Sequence, residues 1–364
     1  MKWPHWRGSI AGFSKPSCPP DRLTACPPGR RTDAKPLADN HLDTIDQAIS
    51  AVHARLERSE LSFGHGCDDS YDEAVWLVAV AIGIPVDRID AESDAKLDAS
   101  EQAQIEELLQ ARIDQRAPLA YLAGEAWLAG RRFLCDRRAL VPRSPIGLIL
   151  QQGLDPWLRH PDRVTRVLDL CTGGGSLAVI AAQTFNEAEV VATDLSGQAL
   201  ALAADNLALF GLEDRIELRQ GHLWAPLQGL QFDLILCNPP YVDAQSMATL
   251  PTEWRHEPTL GLDGGLSLRA VAQSAEIGAA EIGAAEIDAA KIAAPDEKDD
   301  GLDLVRQVIA QASAHLTADG LLILEIGHQI DAFEAAFPGL TPIWLPVPAG
   351  DQMIALLERS ALPA

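Results

Sequence analysis

The amino-acid sequence predicts an α/β protein with an open, mostly parallel sheet and a small helical domain ahead of it. Apolar residues recur at helical steps of three and four between residues 37 and 118. From residue 164 onward, apolar runs of strand length alternate with helical segments, which is the pattern of βαβ units. A glycine-rich turn follows the first of these runs and favours nucleotide binding at the sheet edge.

The composition is typical of a globular protein. The chain has 364 residues, enough for two domains with stable cores, and 47% of them are hydrophobic. No apolar run reaches the length needed to span a membrane, and the first residues lead into prolines and charges, so we predict no secretory signal and a cytoplasmic location. The net charge of -23 disfavours binding to a nucleic-acid backbone. A basic protein partner would suit it, although solubility alone also explains it.

The six cysteines are scattered along the chain without the spacing of metal ligands. We therefore expect reduced thiols and no metal site.

The amino-terminal part divides into a tail and a helical domain. Residues 1–36 are rich in Pro and Arg without a hydrophobic period, which predicts a disordered tail. Residues 37–118 carry the apolar periods of three helices; Gly83 ends the second and Pro118 the third. We interpret the lone histidines His53 and His65 as surface groups.

Residues 119–142 read as a β-hairpin linker, because short aromatic runs are separated by glycines. A Pro-Arg-Ser-Pro turn follows and leads into a helix that starts at Ile146. On its chemistry alone, Arg143 in this turn is interpreted as a solvated residue. The remaining residues, 143–364, form the α/β domain.

The first βαβ unit of that domain carries the nucleotide-binding pattern. Strand 166–170 precedes the glycine turn 171–176, and a second strand, 189–193, ends in Asp194. Glycines allow the backbone to approach a ligand closely, and an acid at this position accepts hydrogen bonds from ribose hydroxyls.

Further strands are predicted at 216–219, 232–237, 320–326 and 352–357, and we expect seven in the sheet. An Ala-Glu-Ile-Gly-Ala pentad repeats across residues 275–294. Because a five-residue period fits neither a helix nor a strand, we predict an exposed, low-complexity insertion at about 267–300.

The segment Asn238-Pro239-Pro240-Tyr241 closes the fourth strand, since two prolines cannot continue a sheet ladder. It combines a side-chain carbonyl, a backbone carbonyl and an aromatic face at the carboxyl end of a strand. This set suits a planar group that carries an NH2. The alternative interpretation of these four residues is a proline turn capped by asparagine.

Together these features resemble the S-adenosylmethionine-dependent methyltransferases that modify an amide or exocyclic amine nitrogen. From about residue 37 to the last residue, the chain resembles the protein-(glutamine-N5) methyltransferases, and most closely the branch that acts on a ribosomal protein. Residues 141–146, Val-Pro-Arg-Ser-Pro-Ile, and residues 250–258, Leu-Pro-Thr-Glu-Trp-Arg-His-Glu-Pro, match this branch. The release-factor branch typically has Pro-Arg-Pro-x-Thr-Glu at the first of these stretches. The resemblance implies a class I methyltransferase fold, with a Rossmann-like seven-stranded sheet.

The resemblance also implies the residues of the site. The cofactor S-adenosylmethionine would contact Asp169, Thr172, Gly173, Gly175, Asp194, His222, Leu223 and Asn238. In this assignment Asp169 and the glycines shape the pocket for the methionine end, Asp194 holds the ribose, and residues 222 and 223 lie beside the adenine. His222 departs from the family, which often has Asp there. The catalytic residues would be Asn238, Pro239, Pro240 and Tyr241.

The implied reaction is methylation of a glutamine N5 in the third large-subunit ribosomal protein, a basic substrate that the helical domain would recognise. The carbonyls of Asn238 and Pro239 would accept the two amide hydrogens, and neither a metal nor a strong base is needed. Three alternatives stay open: a release-factor glutamine methyltransferase, a DNA adenine-N6 methyltransferase acting on a flipped base, and a non-catalytic S-adenosylmethionine-binding ribosome-assembly factor.

Overall fold

The computed structural model describes residues 43–158, 160–265, 300–347 and 350–363. These residues form two compact units. Residues 43–61 and 67–115 make a helical unit, whereas residues 62–66 join the residues from 116 onward in a sheet unit. The predicted tail at 1–36 lies outside the described residues, as does the predicted insertion at about 267–300 except for its last residue.

The helical unit contains α1 (Ile45–Arg58), α2 (Ser70–Ile82) and α3 (Ala99–Gln115). Each helix begins at a side chain that accepts hydrogen bonds from free backbone N–H groups: Thr44 for α1, Asp69 for α2 and Asp98 for α3. Gly83 ends α2 in the left-handed conformation that glycine favours. The third helix ends at Gln115, three residues before the proline that was expected to stop it.

A buried ion pair connects α2 and α3. The Arg112 Nε donates to Glu73 Oε1 over 2.7 Å, and the two residues are 0% and 3% exposed. A charge this deep in the core is tolerated only when a partner compensates its lost hydration.

The sheet unit begins with α4 (Leu119–Ala123) and the antiparallel hairpin of β1 (Glu125–Leu128) and β2 (Arg131–Leu134). This is the hairpin that the aromatic and glycine pattern predicts between residues 119 and 142. The short helix ahead of it was not predicted.

A seven-stranded sheet forms the rest of this unit, which confirms the predicted fold class and strand number. Its strands are β3 (Arg166–Leu170), β4 (Glu189–Asp194), β5 (Ile216–Gln220), β6 (Phe232–Cys237), β7 (Leu316–Glu325), β8 (Ile343–Val347) and β9 (Gly350–Glu358). The helices that accompany them are α5 (Ile146–Gln151), α6 (Ser176–Thr184), α7 (Gly197–Phe210), α8 (Ala244–Ala248), α9 (Asp303–His315) and α10 (Ile330–Ala336).

The strand order is β5-β4-β3-β6-β7-β9-β8. Strands β3 to β7 are mutually parallel, and β9 and β8 each run antiparallel to the preceding neighbour in the sheet. Successive residues of β3 enter opposite core layers: Val167 packs in the layer that contains α5 and α6, and Leu168 in the layer that contains α9.

Strand β8 was not located from the sequence. Its residues, Ile-Trp-Leu-Pro-Val, include Pro346, which has no backbone N–H to donate to a sheet ladder and therefore argues against a strand. Among the described residues, β8 pairs only with β9 and lies at the edge of the sheet, where proline is tolerated.

The buried pair of the helical unit gives a stability prediction. Glu73→Ala leaves the Arg112 guanidinium buried without its carboxylate, so we expect the free energy of unfolding to fall by roughly 3 kcal/mol. Urea titration followed by circular dichroism measures this change. The matched control is Glu92→Ala, which removes the exposed pair with Arg88 and should cost under about 1 kcal/mol. Equal effects of the two substitutions would contradict the interpretation.

Candidate functional site

The candidate site lies where adjacent parallel strands end. Strand β3 pairs with β4 on one side and β6 on the other, so that Leu170 lies opposite both Thr193 and Cys237. The glycine turn, Asp194 and Asn238 follow these three residues directly. The predicted site residues are therefore brought to one edge of the sheet, the edge at which open α/β sheets bind ligands.

The turn after β3 depends on left-handed backbone conformations. Cys171, Gly173 and Gly175 have φ angles of 64°, 56° and 79°. A Cβ on Gly175 would lie 3.0 Å from the Cβ of Ala203, so glycine is needed there for close packing on α7. At Gly173 the nearest atom to such a Cβ is 3.9 Å away, which leaves this part of the turn open to a ligand.

Asn206 anchors the turn and was missed by sequence reasoning. It is fully buried on α7, and its amide donates to the carbonyl of Gly174 over 2.9 Å. The same side chain exchanges hydrogen bonds with the backbone of Leu134 on β2. An asparagine inside a helical apolar pattern was the only available signal.

Asp169 on β3 has one satisfied and one unsatisfied carboxylate oxygen. Oδ2 accepts from the Thr172 hydroxyl at 2.5 Å and from the Ala178 N–H at 2.9 Å. Oδ1 is buried and has no hydrogen-bond partner among the described residues. The pKa of this carboxyl is raised to about 7, mainly by burial and also by the nearby Asp194, while the two hydrogen bonds oppose the shift. An unsatisfied buried acceptor indicates a place for a donor from a ligand.

Asp194 joins the ends of β4 and the glycine turn. Its Oδ2 accepts from the Gly173 N–H over 2.9 Å and its Oδ1 from the Ser196 N–H over 2.8 Å. Burial raises the pKa of Asp194 while these backbone bonds oppose the shift. Because each oxygen has a second lone pair, the carboxylate can still accept hydrogen bonds from a diol.

Residues 222 and 223 follow β5 at the same edge, since the Gly221 N–H donates to the carbonyl of Asp194 over 3.0 Å. Leu223 is buried and has a φ of 43°, unusual for a branched side chain. The His222 Nε2 is buried without a partner among the described residues, and burial lowers the pKa of the imidazole. A neutral imidazole offers one donor and one acceptor where the family often has a carboxylate.

The Asn-Pro-Pro-Tyr segment leaves β6 with both prolines buried and Asn238 half-buried. The Tyr241 hydroxyl donates to Glu325 Oε1 over 3.2 Å. Burial, followed by the charge of Glu325, raises the pKa of Tyr241, so the phenol stays protonated.

Two of our sequence interpretations are wrong. Arg143 is not a solvated turn residue: its guanidinium donates to both oxygens of Glu257, at 2.6 and 2.9 Å, and lies 4.7 Å from the ring centre of Trp254. His65 is not on the surface, since it is 4% exposed and its Nε2 lies 3.5 Å from Glu257 Oε2. Both errors have one cause: the compensating carboxylate is distant in sequence.

Glu257 therefore connects its own segment, 250–258, with the loop 62–66 and with the turn 141–146. Besides Arg143 and His65, it accepts from the Val141 N–H over 3.0 Å. Burial alone would raise the pKa of this carboxyl, but the Arg143 charge and hydrogen bonds lower it to about 2. The two stretches on which the resemblance to the ribosomal-protein branch depends, 141–146 and 250–258, thus contact each other through this ion pair.

Glu325, at the carboxyl end of β7, was also missed. It is 4% exposed and accepts from the Ser144 hydroxyl at 2.5 Å as well as from Tyr241. Burial raises its pKa to about 7. An acid that closes an otherwise apolar strand was a usable signal.

Neither a membrane-crossing helix nor a metal-binding group is found in the part of the chain that the structure describes. Its helices are all too short or too polar to cross a bilayer. Within the same residues, no three His, Cys, Asp or Glu side chains come together as metal ligands.

Comparison with known proteins gives consistent results. Residues 154–276 match the family model described as methyltransferase small domain. A ribosomal protein uL3 glutamine methyltransferase from Bordetella pertussis is 44% identical over 321 residues, which cover 88% of this chain and 97% of that protein. Proteins of the same name from Burkholderia pseudomallei and Neisseria gonorrhoeae are 40% and 37% identical and are covered over 96% and 97% of their length. With this identity over nearly the full length of its relatives, the chain belongs to the family of ribosomal protein uL3 glutamine methyltransferases.

Proposed function

We propose that the chain transfers a methyl group from S-adenosylmethionine to the side-chain amide nitrogen of a glutamine in ribosomal protein uL3. The observation that carries the proposal is the Asn-Pro-Pro-Tyr segment at the carboxyl end of β6, beside the glycine turn and Asp194. Relatives that are matched over nearly their full length, and whose names state this activity, support the choice of substrate.

The residues at the sheet edge fit the cofactor. The unpartnered Oδ1 of Asp169 is an acceptor for an ammonium group, and the open face of Gly173 gives the backbone close access to a ligand. Asp194 retains lone pairs for the two ribose hydroxyls. The cofactor site proposed from these observations comprises Asp169, Thr172, Gly173, Gly175, Asp194, His222, Leu223 and Asn238. When bound, S-adenosylmethionine supplies an electrophilic methyl group on a sulfonium.

The remaining task of the protein is to orient a weak nucleophile. The amide nitrogen of glutamine shares its lone pair with the carbonyl, so that correct aim and local electrostatics dominate catalysis. Asn238 Oδ1 and the Pro239 carbonyl accept the two amide hydrogens, and Tyr241 lies beside the amide plane. As positive charge develops on the nitrogen, these two acceptors bind more strongly, which lowers the barrier selectively.

Charge supports a basic protein substrate. The helical unit carries many more acidic than basic side chains, including Asp46, Asp69, Asp72 and Asp90 around the exposed ring of Tyr71. This unit is the proposed substrate-recognition domain, since a basic ribosomal protein would be attracted to it. The cytoplasm, where ribosomal proteins are made, is the proposed location.

Removal of the proposed amide acceptor should abolish most of the activity. We expect Asn238→Ala to lower the rate of methyl transfer to uL3 by about 100-fold, which is the effect of losing one preorganised hydrogen bond in the transition state. Transfer from labelled S-adenosylmethionine to purified uL3 and, in parallel, to a class I release factor measures both the chemistry and the substrate. Asn186→Ala, an exposed asparagine that follows α6, is the matched control and should leave the rate unchanged.

The possible outcomes separate the alternatives. Label on the release factor alone would overturn the uL3 assignment but keep the chemistry. Label on neither protein, with cofactor binding intact, would point to a non-catalytic binding factor.

Cofactor binding should depend on pH through Asp169. Its pKa of about 7 means that the carboxyl is protonated below neutrality and loses its charge attraction for an ammonium group. We expect the Kd for S-adenosylmethionine to be about five- to tenfold weaker at pH 6 than at pH 7.5. Isothermal titration calorimetry on wild type and Asp169→Asn tests this.

Burial raises the pKa of Asp194 and lowers that of His222 at the same site, so the comparison of the two proteins is what isolates Asp169. The asparagine variant should bind more weakly at pH 7.5 and lose most of the pH dependence. An identical pH dependence in both proteins would assign it to another group.

A further inference from the structure

The end of β7 holds Tyr241 at three points. Glu325 accepts from its hydroxyl, Gly327 lies against its ring, and the Gln329 Nε2 donates to its backbone carbonyl over 3.3 Å. All three come from one short segment of the chain. We propose that Glu325 is a positioning residue for methyl transfer and acts by fixing the ring of Tyr241. This inference rests on the proposed function, since it concerns the same Asn-Pro-Pro-Tyr segment.

The contact at Gly327 shows how closely the ring is held. A Cβ at this residue would lie 2.5 Å from Tyr241 Cε2, and the φ of 55° is one that favours glycine. The ring is therefore held against the backbone at Gly327, which limits its movement on that side. The hydrogen bond to Glu325 at the far end of the ring fixes the direction in which the ring points.

Glu325 has two donors for its two oxygens. The Ser144 hydroxyl donates to Oε2 at 2.5 Å and the Tyr241 hydroxyl to Oε1 at 3.2 Å. The charged or titratable groups that face it are Arg143, which lowers its pKa, together with Tyr241 and the buried thiol of Cys237. Arg143 is already paired with Glu257, so Glu325 has no cation of its own among the residues that the structure describes.

Its ionisation state decides how strongly it accepts from Tyr241. As a carboxylate, Glu325 accepts from Ser144 and Tyr241 together. With a pKa raised to about 7 by burial, it becomes a neutral acid at mildly acid pH, and one oxygen then carries a proton that must itself be donated. That proton can be donated to the Ser144 hydroxyl, which then acts as acceptor, while the other oxygen still accepts from Tyr241. Because a neutral carboxyl is a weaker acceptor than a carboxylate, the hydrogen bond that fixes the Tyr241 ring weakens.

A double-mutant cycle tests the assignment at saturating cofactor, which removes the effect of Asp169 on binding. Glu325→Gln should lower kcat for methyl transfer at pH 8 by about three- to tenfold, with the Kd for S-adenosylmethionine unchanged. Tyr241→Phe removes the donor while keeping the ring. On that background Glu325→Gln should change kcat by less than about twofold, because its effect passes through the hydroxyl. Wild-type kcat should also fall as the pH drops below about 7, and the glutamine variant should lack this step.

Glu358→Gln, an exposed glutamate at the end of β9, is the matched control and should leave kcat unchanged. Equal losses from Glu325→Gln on both backgrounds, or no loss on either, would overturn the assignment of Tyr241 as the group through which Glu325 acts.

A second measurement does not require turnover and so separates this inference from the proposed function. The chain contains three tyrosines, so labelling the ring Cζ with carbon-13 gives three signals, of which Tyr241→Phe identifies one. The Tyr241 signal should shift near pH 7 in the wild type and stay constant in Glu325→Gln. A Tyr241 signal that is the same in the wild type and in Glu325→Gln at every pH would reject the contact, whatever the enzyme does to its substrate.

Discussion

The common direction of adjacent strands is the constraint on which the site depends. Strands β4, β3, β6 and β7 are parallel neighbours, so their carboxyl ends lie at the same edge of the sheet. At that edge β4 ends at Asp194, β3 continues into the glycine turn, β6 continues into Asn238, and β7 ends at Glu325. Residues from widely separated parts of the sequence thereby become neighbours through backbone pairing alone, and side-chain packing only has to adjust their orientation.

The buried carboxylates of the sheet unit have two different kinds of hydrogen-bond partner. Glu257 has a guanidinium, a backbone N–H and a histidine around it, so that it stays ionised in spite of its burial. Within the described part of the chain, Asp169 and Glu325 accept hydrogen bonds only from neutral donors, and their pKa values rise to about 7. The first arrangement suits a fixed support. The second leaves a group whose charge responds to what lies beside it, which is the behaviour expected of residues in contact with a ligand or with the reacting segment.

The sequence predicted those features that depend on residues close together in the chain. The order of strands and helices, the glycine turn and the Asn-Pro-Pro-Tyr segment are all marked by local patterns, and the structure places them as expected. The partners of Arg143 and His65 were not predictable in this way, because whether a charged residue is solvated depends on a carboxylate more than a hundred residues further along the chain. Strand β8 was missed for a different reason. The proline in its sequence argues against a strand, and Pro346 is tolerated because β8 lies at the edge of the sheet.

The short loop 62–66 has a consequence for how the chain is made. It is flanked on both sides by the helical unit, yet it belongs to the sheet unit, where His65 contacts Glu257 and the ring of Trp254. During synthesis this loop leaves the ribosome long before those two residues do, so its contacts with them form only after the intervening strands are translated. The helical unit has no such delay, since all of its segments precede residue 116. A catalytic fragment cut at the start of α4 would lack the loop, and Glu257 would lose its contact with His65.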